Sequence, residues 1–138
     1  MPDTPHNHAR WPYAGGQQPG CGFPTAQLVG LFCLATGRLV RFAVDSWKAH
    51  EIPLARLLVI WMEPGEIVLA DRGFCGWGLL ALLQRKGVDV VMRAHQARKL
   101  KGERMIWAKP QRRTQTWDKA LWAELPEQLA VRIVRYRV

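Results

Sequence analysis

The sequence predicts an α/β fold containing a parallel strand pair, on the basis of three segments. Residues 66–71 (EIVLAD) form a short apolar run that ends in a carboxylate before a glycine-containing turn, as a buried strand does. Residues 77–86 predict a helix and residues 88–92 a second strand. A strand, a crossover helix and a strand make a parallel unit. Because such sheets place their chemistry at the carboxyl ends of strands, Asp71 is the first candidate functional residue.

The elements that precede this unit are predicted to be an irregular segment, a hairpin and a helix. Residues 1–24 contain five of the nine prolines, which predicts extended, irregular chain. Residues 27–45 predict a β-hairpin, because Thr36 and Gly37 supply a turn and the residues after them alternate. Apolar residues at three-and-four spacing predict a helix over residues 53–62.

The helix over residues 77–86 has a clear end, and short strands are predicted beyond the parallel unit. Arg85 and Lys86 occupy its last turn and Gly87 follows, which is a favourable termination signal. After Met92 the chain contains three strand-like pieces, residues 105–108, 120–125 and 129–138.

The charge is concentrated in one segment. The chain has a formal net charge of +9, and residues 93–113 hold eight Lys or Arg against one acid. A polyanion such as nucleic acid is the natural partner, because neutralising phosphates releases counterions. The alternative is a solvated basic loop that keeps the protein soluble.

Length and composition exclude several classes of protein. At 138 residues the chain forms at most one domain, and 49% hydrophobic residues argue against a disordered chain. No apolar stretch approaches the roughly 20 residues that cross a bilayer, so no membrane partner is expected. The N-terminal residues do not have the pattern of a secretion signal. Three cysteines at long spacings suggest reduced thiols, and we expect a cytoplasmic protein.

Several stretches together carry a family likeness. In order along the chain they are residues 1–5 (MPDTP), 19–24 (PGCGFP), 29–32 (VGLF), 34–37 (LATG), 68–75 (VLADRGFC), 91–93 (VMR), 125–127 (LPE) and 131–132 (VR). With this series the sequence resembles the catalytic core of bacterial insertion-sequence transposases of the DDE class, in the insertion-sequence-four group. The block at 68–75 is the most specific part of the resemblance.

The resemblance implies a fold and an organisation of the chain. The expected fold is a ribonuclease H-like mixed sheet with helices. Residues 1–26 would be an extended N-terminal segment, residues 27–98 a partial catalytic core, and residues 99–138 the start of a basic, β-rich insertion. On this interpretation the chain is truncated at both ends, and its sheet lacks a strand and a closing helix.

The resemblance also implies a reaction and a cofactor. Members of this family cleave and join DNA strands with two Mg²⁺ ions held by three acids, and Mn²⁺ can substitute. Asp71 matches the second acid; the first is expected before Met1 and the third beyond Val138, while Asp3 is not a catalytic match. The isolated chain is therefore expected to be inactive, since one carboxylate cannot assemble the metal pair. Expected partners are the DNA of transposon ends and a second copy or an intact transposase, in a nucleoid-associated setting.

Basic residues near Asp71 and in the segment that follows are the candidate DNA contacts. Phosphate contacts of this kind position DNA without reading its sequence. The candidates are Arg72, Arg93, His95, Arg98, Lys99, Lys101, Arg112 and Arg113. Trp107 and Trp117 flank the basic segment, where core packing is their default role and contact with unpaired bases is the alternative.

Other interpretations stay open. Asp71 is alternatively a helix cap or a solvated turn residue. His6, His8 and Cys21 have poor spacing for a zinc site. The whole chain is alternatively a non-catalytic DNA-binding fragment that interferes with an intact transposase, or the product of a decayed reading frame.

Overall fold

A computed structural model describes residues 1–14, 16, 22–94, 98 and 100–135 of the chain. The chain divides into two compact units, residues 1–61 and residues 62–138. Among the described residues, no helix combines the length and apolar character needed to span a membrane. Each unit builds its own secondary structure and its own buried core.

The first unit begins with a short helix that the sequence did not predict. Helix α1 spans Pro5–Arg10, so the expectation of irregular chain is wrong for this part. The Thr4 side chain accepts a hydrogen bond from the Asn7 N–H at 3.2 Å, and Pro5 stands in the first turn. A side-chain cap and a proline at the first helical position both favour a helix start. The Thr4 cap and the position of Pro5 thus allow a short helix in a segment whose high proline content predicted irregular chain.

The predicted hairpin and the helix after it are both present. Strands β1 (Ala26–Phe32) and β2 (Leu39–Ser46) are antiparallel, with Leu28 paired with Val44. Helix α2 spans Glu51–Leu58 and continues as one 3-10 turn, Val59–Trp61. The predicted helix over 53–62 is thus confirmed with its start two residues earlier.

The core of the first unit lies between α2 and one face of the hairpin. Leu54, Leu58 and Val59 are buried on the helical side, and Ala43 is buried on β2. Gln27 donates to the Glu51 carboxylate at 3.1 Å, which joins β1 to the first turn of α2. The buried stripe that the three-and-four spacing predicted is confirmed at Leu54 and Leu58 and is wrong at Leu57 and Trp61, which are exposed.

The second unit contains the parallel strand pair. Strands β3 (Ile67–Ala70) and β4 (Asp89–Met92) pair in parallel, and helix α3 (Trp77–Lys86) is the crossover between them. Gly87 ends α3 in the left-handed conformation, with φ 79°. Its N–H bonds back to the carbonyls of the last helical turn, so the predicted termination is confirmed.

The C-terminal part of this unit forms a second hairpin with a helix inside its connection. Strands β5 (Arg104–Ala108) and β6 (Gln128–Arg132) are antiparallel. Helix α4 spans Lys119–Glu124, so the strand predicted for residues 120–125 is wrong. The Asp118 side chain accepts from the N–H groups of Ala120 and Leu121, and the alanine, leucine and glutamate after this cap favour a helix.

The last predicted strand is shorter than expected. Strand β6 ends at Arg132 instead of continuing to residue 138. The Ile133 N–H still donates to the Glu103 carbonyl at 2.7 Å, and Arg135 donates to the carbonyls of Gly102 and Leu100. Residues 136–138 lie outside the described part of the chain.

The core of the second unit is built around α3 and a cluster of indoles. Trp77 is 4% exposed and its Nε1 donates to the Trp107 carbonyl at 3.0 Å. The ring of Trp122 lies 5.4 Å from that of Trp77 and 5.7 Å from that of Trp117. The helix of the parallel unit is thus packed directly against residues of the C-terminal hairpin and its connection.

Within the described residues the strands form three separate two-stranded sheets. The architecture is therefore mixed α/β with small sheets and helices, as the predicted class requires. A ribonuclease H-like arrangement, and the division at residues 26 and 98, remain predictions.

Candidate functional site

Asp71 lies where the parallel strands end. The last paired residues of β3 and β4 are Ala70 and Met92, which are register partners, so Asp71 and Arg93 leave the pair at the same level. Both residues are exposed. The sequence placed Arg93 near the level of Asp71, and the register agrees with that expectation.

The carboxylate of Asp71 is available for binding. Asp71 precedes the 3-10 turn Arg72–Phe74, and its main-chain carbonyl accepts from the Phe74 N–H at 3.0 Å. Its side chain makes no capping hydrogen bond and no ion pair with another described residue. The backbone therefore closes the turn by itself, and the helix-cap interpretation of Asp71 lacks support.

Arg98 holds the end of this turn. Its Nη2 donates to the Cys75 carbonyl at 2.5 Å, and its guanidinium carbon lies 3.8 Å from the centroid of the Trp107 ring. Arg98 thus links the segment after Asp71 to strand β5. The sequence suggested Arg98 only as a DNA contact, because its partners are distant in the chain and no local spacing reveals them.

The other candidate DNA contacts have different surroundings. Arg72, Lys101 and Arg112 are exposed. Arg113 donates through Nη1 to the Trp117 carbonyl, which holds its guanidinium beside its own loop. His95 and Lys99 lie outside the described residues.

The two tryptophans that flank the basic segment pack within the protein. Trp117 is 5% exposed, so core packing is its role, and contact with unpaired bases is wrong for it. Trp107 is half-buried, with Arg98 over its ring.

The chemistry of the Asp71 carboxylate is compatible with cation binding. An exposed carboxylate offers the hard oxygen atoms that Mg²⁺ prefers, and Mg²⁺ is commonly bound by one or two carboxylates together with substrate phosphates. The part of the chain that the structure describes contains no group of three or more His, Cys, Asp or Glu able to hold a metal. The Asp71 carboxylate therefore has the chemistry of one Mg²⁺ ligand, and the described residues do not contain a complete metal site.

Asp3 has a structural role in the first unit. Its carboxylate accepts from the Tyr13 hydroxyl at 3.0 Å and contacts Nε2 of His8. The hydrogen bonds from His8 and then Tyr13 lower the pKa of Asp3. Because His8 is engaged in this way and Cys21 lies outside the described residues, the structure adds no support for a zinc site at His6, His8 and Cys21.

Two arginines on the β5–β6 hairpin were not among the candidates from the sequence. Arg104 and Arg132 are direct register partners on its exposed face. The alternation of Arg104, Ile106 and Ala108 is visible in the sequence, but the pairing of Arg104 with Arg132 requires the register.

A mixed α/β chain with an exposed acid at the end of one parallel strand and a basic segment that begins at the end of the other suits an enzyme that acts on nucleic acid. The family model described as a transposase DDE domain matches residues 2–138. The chain belongs to this family of DDE transposase domains, and its resemblance to DDE transposases is confirmed at that level. No similar protein was found among curated proteins. Solved structures likewise include none that matches.

Proposed function

We propose that this chain is part of the catalytic core of a transposase of the insertion-sequence-four group, in which Asp71 is one of the metal-binding acids. The observation that carries the proposal is the exposed carboxylate at the end of β3, for which no partner is found among the described residues. It lies in a chain that the family model matches over residues 2–138. Its substrate is DNA, and its reaction is cleavage and transfer of a DNA strand.

The proposed cofactor is Mg²⁺, with Mn²⁺ as a substitute. When bound in pairs, such ions activate the attacking oxygen and stabilise the leaving oxygen of an in-line phosphodiester displacement. Asp71 contributes an oxygen ligand from a fixed position, because β3 and the 3-10 turn hold its backbone on both sides. Arg98 positions this turn through the Cys75 carbonyl.

Arg93 is a proposed phosphate contact at the level of Asp71. It leaves β4 at the level at which Asp71 leaves β3, and it is exposed. A guanidinium in this position binds a phosphate through two parallel hydrogen bonds, which orients the DNA backbone without reading bases. Arg72, at the start of the turn, is a second contact of the same kind.

The resemblance assigns no second metal-binding acid among these residues. Because one carboxylate does not assemble a metal pair, we expect the isolated chain to bind a cation weakly, with DNA present, and to show no turnover. Metal binding is therefore a sharper test than catalysis.

The test uses Fe²⁺ in place of Mg²⁺ on the chain mixed with duplex DNA. With ascorbate and peroxide, bound iron cuts the polypeptide near its ligands, and we expect fragments that end close to residue 71. Asp71→Asn should abolish these fragments. Asp89→Asn is the matched control, because Asp89 is exposed at the opposite end of the same strand pair, and it should leave them unchanged. Cleavage that is identical in the wild type and Asp71→Asn contradicts the proposal.

A non-catalytic DNA-binding role is the second candidate, and the concentration of positive charge in residues 93–113 favours it. It predicts salt-dependent DNA binding that persists in Asp71→Asn, with no iron cleavage near residue 71. Failure of the chain to fold would instead support a decayed reading frame.

A further inference from the structure

The exposed face of the β5–β6 hairpin has a composition that is unusual for a free surface. Its three cross-strand pairs are Arg104 with Arg132, Ile106 with Ala130, and Ala108 with Gln128. All six residues are exposed, Ile106 by 63%. We call this set of six residues the ribbon face. It carries two positive charges, an aliphatic centre and no acid.

The arginine pair of the ribbon face is unfavourable without a partner. Side chains directly opposite on an antiparallel pair have Cβ atoms roughly 5 Å apart, and like charges at this spacing destabilise the pairing. Neither guanidinium forms an ion pair or hydrogen bond with another described residue. An anion bound between Arg104 and Arg132 would remove the repulsion.

The three carboxylates in the connection between β5 and β6 are engaged with other groups. Glu127 pairs with Lys109 at 2.9 Å, and Glu124 pairs with Arg85 at 2.6 Å. Asp118 accepts two backbone hydrogen bonds at the start of α4. The anion that complements the ribbon face is therefore not provided by these side chains.

A shallow, open groove of about 470 Å³ adjoins the hairpin. It is lined by residues of both faces, namely Arg104, Met105, Ile106, Ala130, Val131 and Arg132. The opposite face of the hairpin is anchored in the protein, because Leu129 is buried and the Trp107 carbonyl accepts from Trp77. The ribbon face is thus backed by the core of this unit.

We propose that the ribbon face binds the phosphate backbone of duplex DNA. Arg104 and Arg132 contact phosphates, and Ile106 with Ala130, the next pair along the same face, contacts an adjoining sugar. The proposal rests on the proposed function for its substrate and adds a contact surface to it. A polyanion with regular charge spacing matches two adjacent arginines, which bind phosphate oxygens in planar, paired hydrogen bonds. Duplex DNA is such a polyanion, with one charge per about 1.7 Å of helix axis.

The test measures binding of the full chain to a fluorescent duplex of random sequence, by anisotropy, in EDTA and over a range of salt concentrations. Losing one phosphate contact lowers the slope of log affinity against log salt by about 1. Arg104→Gln with Arg132→Gln should therefore lower the slope by about 2 and weaken binding at about 0.1 M salt roughly tenfold or more. Arg104→Lys with Arg132→Lys should keep most of the slope.

The charge-matched control is Arg38→Gln with Lys119→Gln. Both residues are exposed and neither belongs to the ribbon face. This variant loses two positive charges, as the Arg104 and Arg132 double variant does. It should bind DNA nearly as the wild type does. Equal losses in the two double variants would overturn the proposal, as would a wild-type chain that does not bind duplex DNA or that binds an RNA duplex more tightly.

A second measurement uses the unaltered chain, so it does not depend on how the variants fold. Phenylglyoxal modifies accessible arginines, and mass spectrometry locates the products. Duplex DNA should protect Arg104 and Arg132 and leave Arg38 reactive; unprotected Arg104 and Arg132 at saturating DNA contradict the proposal. Because EDTA removes metal, these results are independent of the iron test, and either proposal can fail while the other stands.

Discussion

At the scale of single residues, Arg98 is a cation with a structural role close in the chain to the Asp71 turn. Its guanidinium contacts the Cys75 carbonyl and the face of Trp107, so it joins the turn after Asp71 to strand β5. A cation–π contact contributes about 0.5–2 kcal/mol, and a hydrogen bond from a charged donor about 1.5–3 kcal/mol. Arg98 is therefore a positioning residue for the Asp71 turn.

Replacing Arg98 tests this role. Arg98→Gln should lower the free energy of unfolding by about 1–3 kcal/mol, because both contacts are lost. Hydrogen exchange should accelerate at the amides of residues 74–76. Arg112→Gln is the control, since Arg112 is exposed and surface changes of this kind stay within about 0.5 kcal/mol. Equal stability of the two variants in urea denaturation would contradict the role.

Gly78 is a residue at which packing and helix propensity oppose one another. A Cβ at this position would lie 2.5 Å from Cζ2 and 2.6 Å from Cε2 of Trp117. Alanine gains about 1 kcal/mol in helix propensity, whereas overpacking a core costs about 1–3 kcal/mol. Because the contact is far closer than van der Waals distance, the packing cost should prevail.

We therefore expect Gly78→Ala to destabilise the protein by up to about 2 kcal/mol in thermal or urea denaturation. The loss should shrink in a Trp117→Phe background, where a smaller ring leaves space. A stabilising Gly78→Ala would show that the helix moves away from the indole at little cost.

At the scale of elements, the end of α3 depends on one backbone conformation. Gly87 has φ 79°, and a Cβ there would lie 3.2 Å from Cβ of Pro64. A left-handed conformation costs an ordinary residue about 1–2 kcal/mol. Gly87→Ala should lower the free energy of unfolding by at least that amount, and Gly87→Asn by less, since asparagine tolerates this conformation. Equal losses for alanine and asparagine would indicate that the contact with Pro64 dominates.

The contribution of the Asp118 cap to the stability of helix α4 should decrease at low pH. The hydrogen bond from the Leu121 N–H has the largest effect on the Asp118 carboxyl, and it lowers the pKa. Burial raises the pKa, and the hydrogen bond from the Ala120 N–H lowers it further. The net effect is a pKa below the ordinary 3.8. A carboxyl whose pKa is lower in the folded state stabilises the fold above its unfolded pKa, and this contribution is lost as the pH falls through the folded pKa.

The stability difference between wild type and Asp118→Asn should therefore be constant near neutral pH and shrink below about pH 4. Asparagine is the right comparison because it caps helices but does not titrate in this range. The measurement is urea denaturation at a series of pH values. A difference that is independent of pH would show that the charge of Asp118 contributes nothing to the cap.

At the scale of the whole molecule, charge is the property that links the chain to DNA. The net charge of +9 is concentrated in residues 93–113, and the ribbon face adds Arg132 beyond that segment. A ligand that binds only the folded chain stabilises it, by about 2.7 kcal/mol at a concentration of 100 Kd. Duplex DNA should thus raise the thermal midpoint, and 1 M salt should remove the effect by screening. A midpoint that does not respond to DNA would mean that the folded chain does not bind it.

Local sequence signals predicted the elements whose cause is local. The termination of α3 at Gly87 and the apolar runs of β3 and β4 followed directly from residue types and spacing. The segment at 120–125 was assigned to the wrong class, because six residues are too few for periodicity to distinguish a helix from a strand, and the cap at Asp118 decides between them.

For the candidate site, the sequence by itself predicted that Asp71 lies at the end of a strand and that Arg93 lies at the same level of the neighbouring strand. Both predictions depend on one apolar run and on the geometry of a parallel unit. Only the tertiary structure decided which arginines have a hydrogen-bond partner among the described residues. Arg98 and Arg113 are held by carbonyl groups, whereas Arg104 and Arg132 stand paired on an exposed face. The physical reason is that the partners of a guanidinium are set by tertiary contacts and by strand register. Residues that are far apart in the chain form these contacts, so no local sequence pattern predicts them.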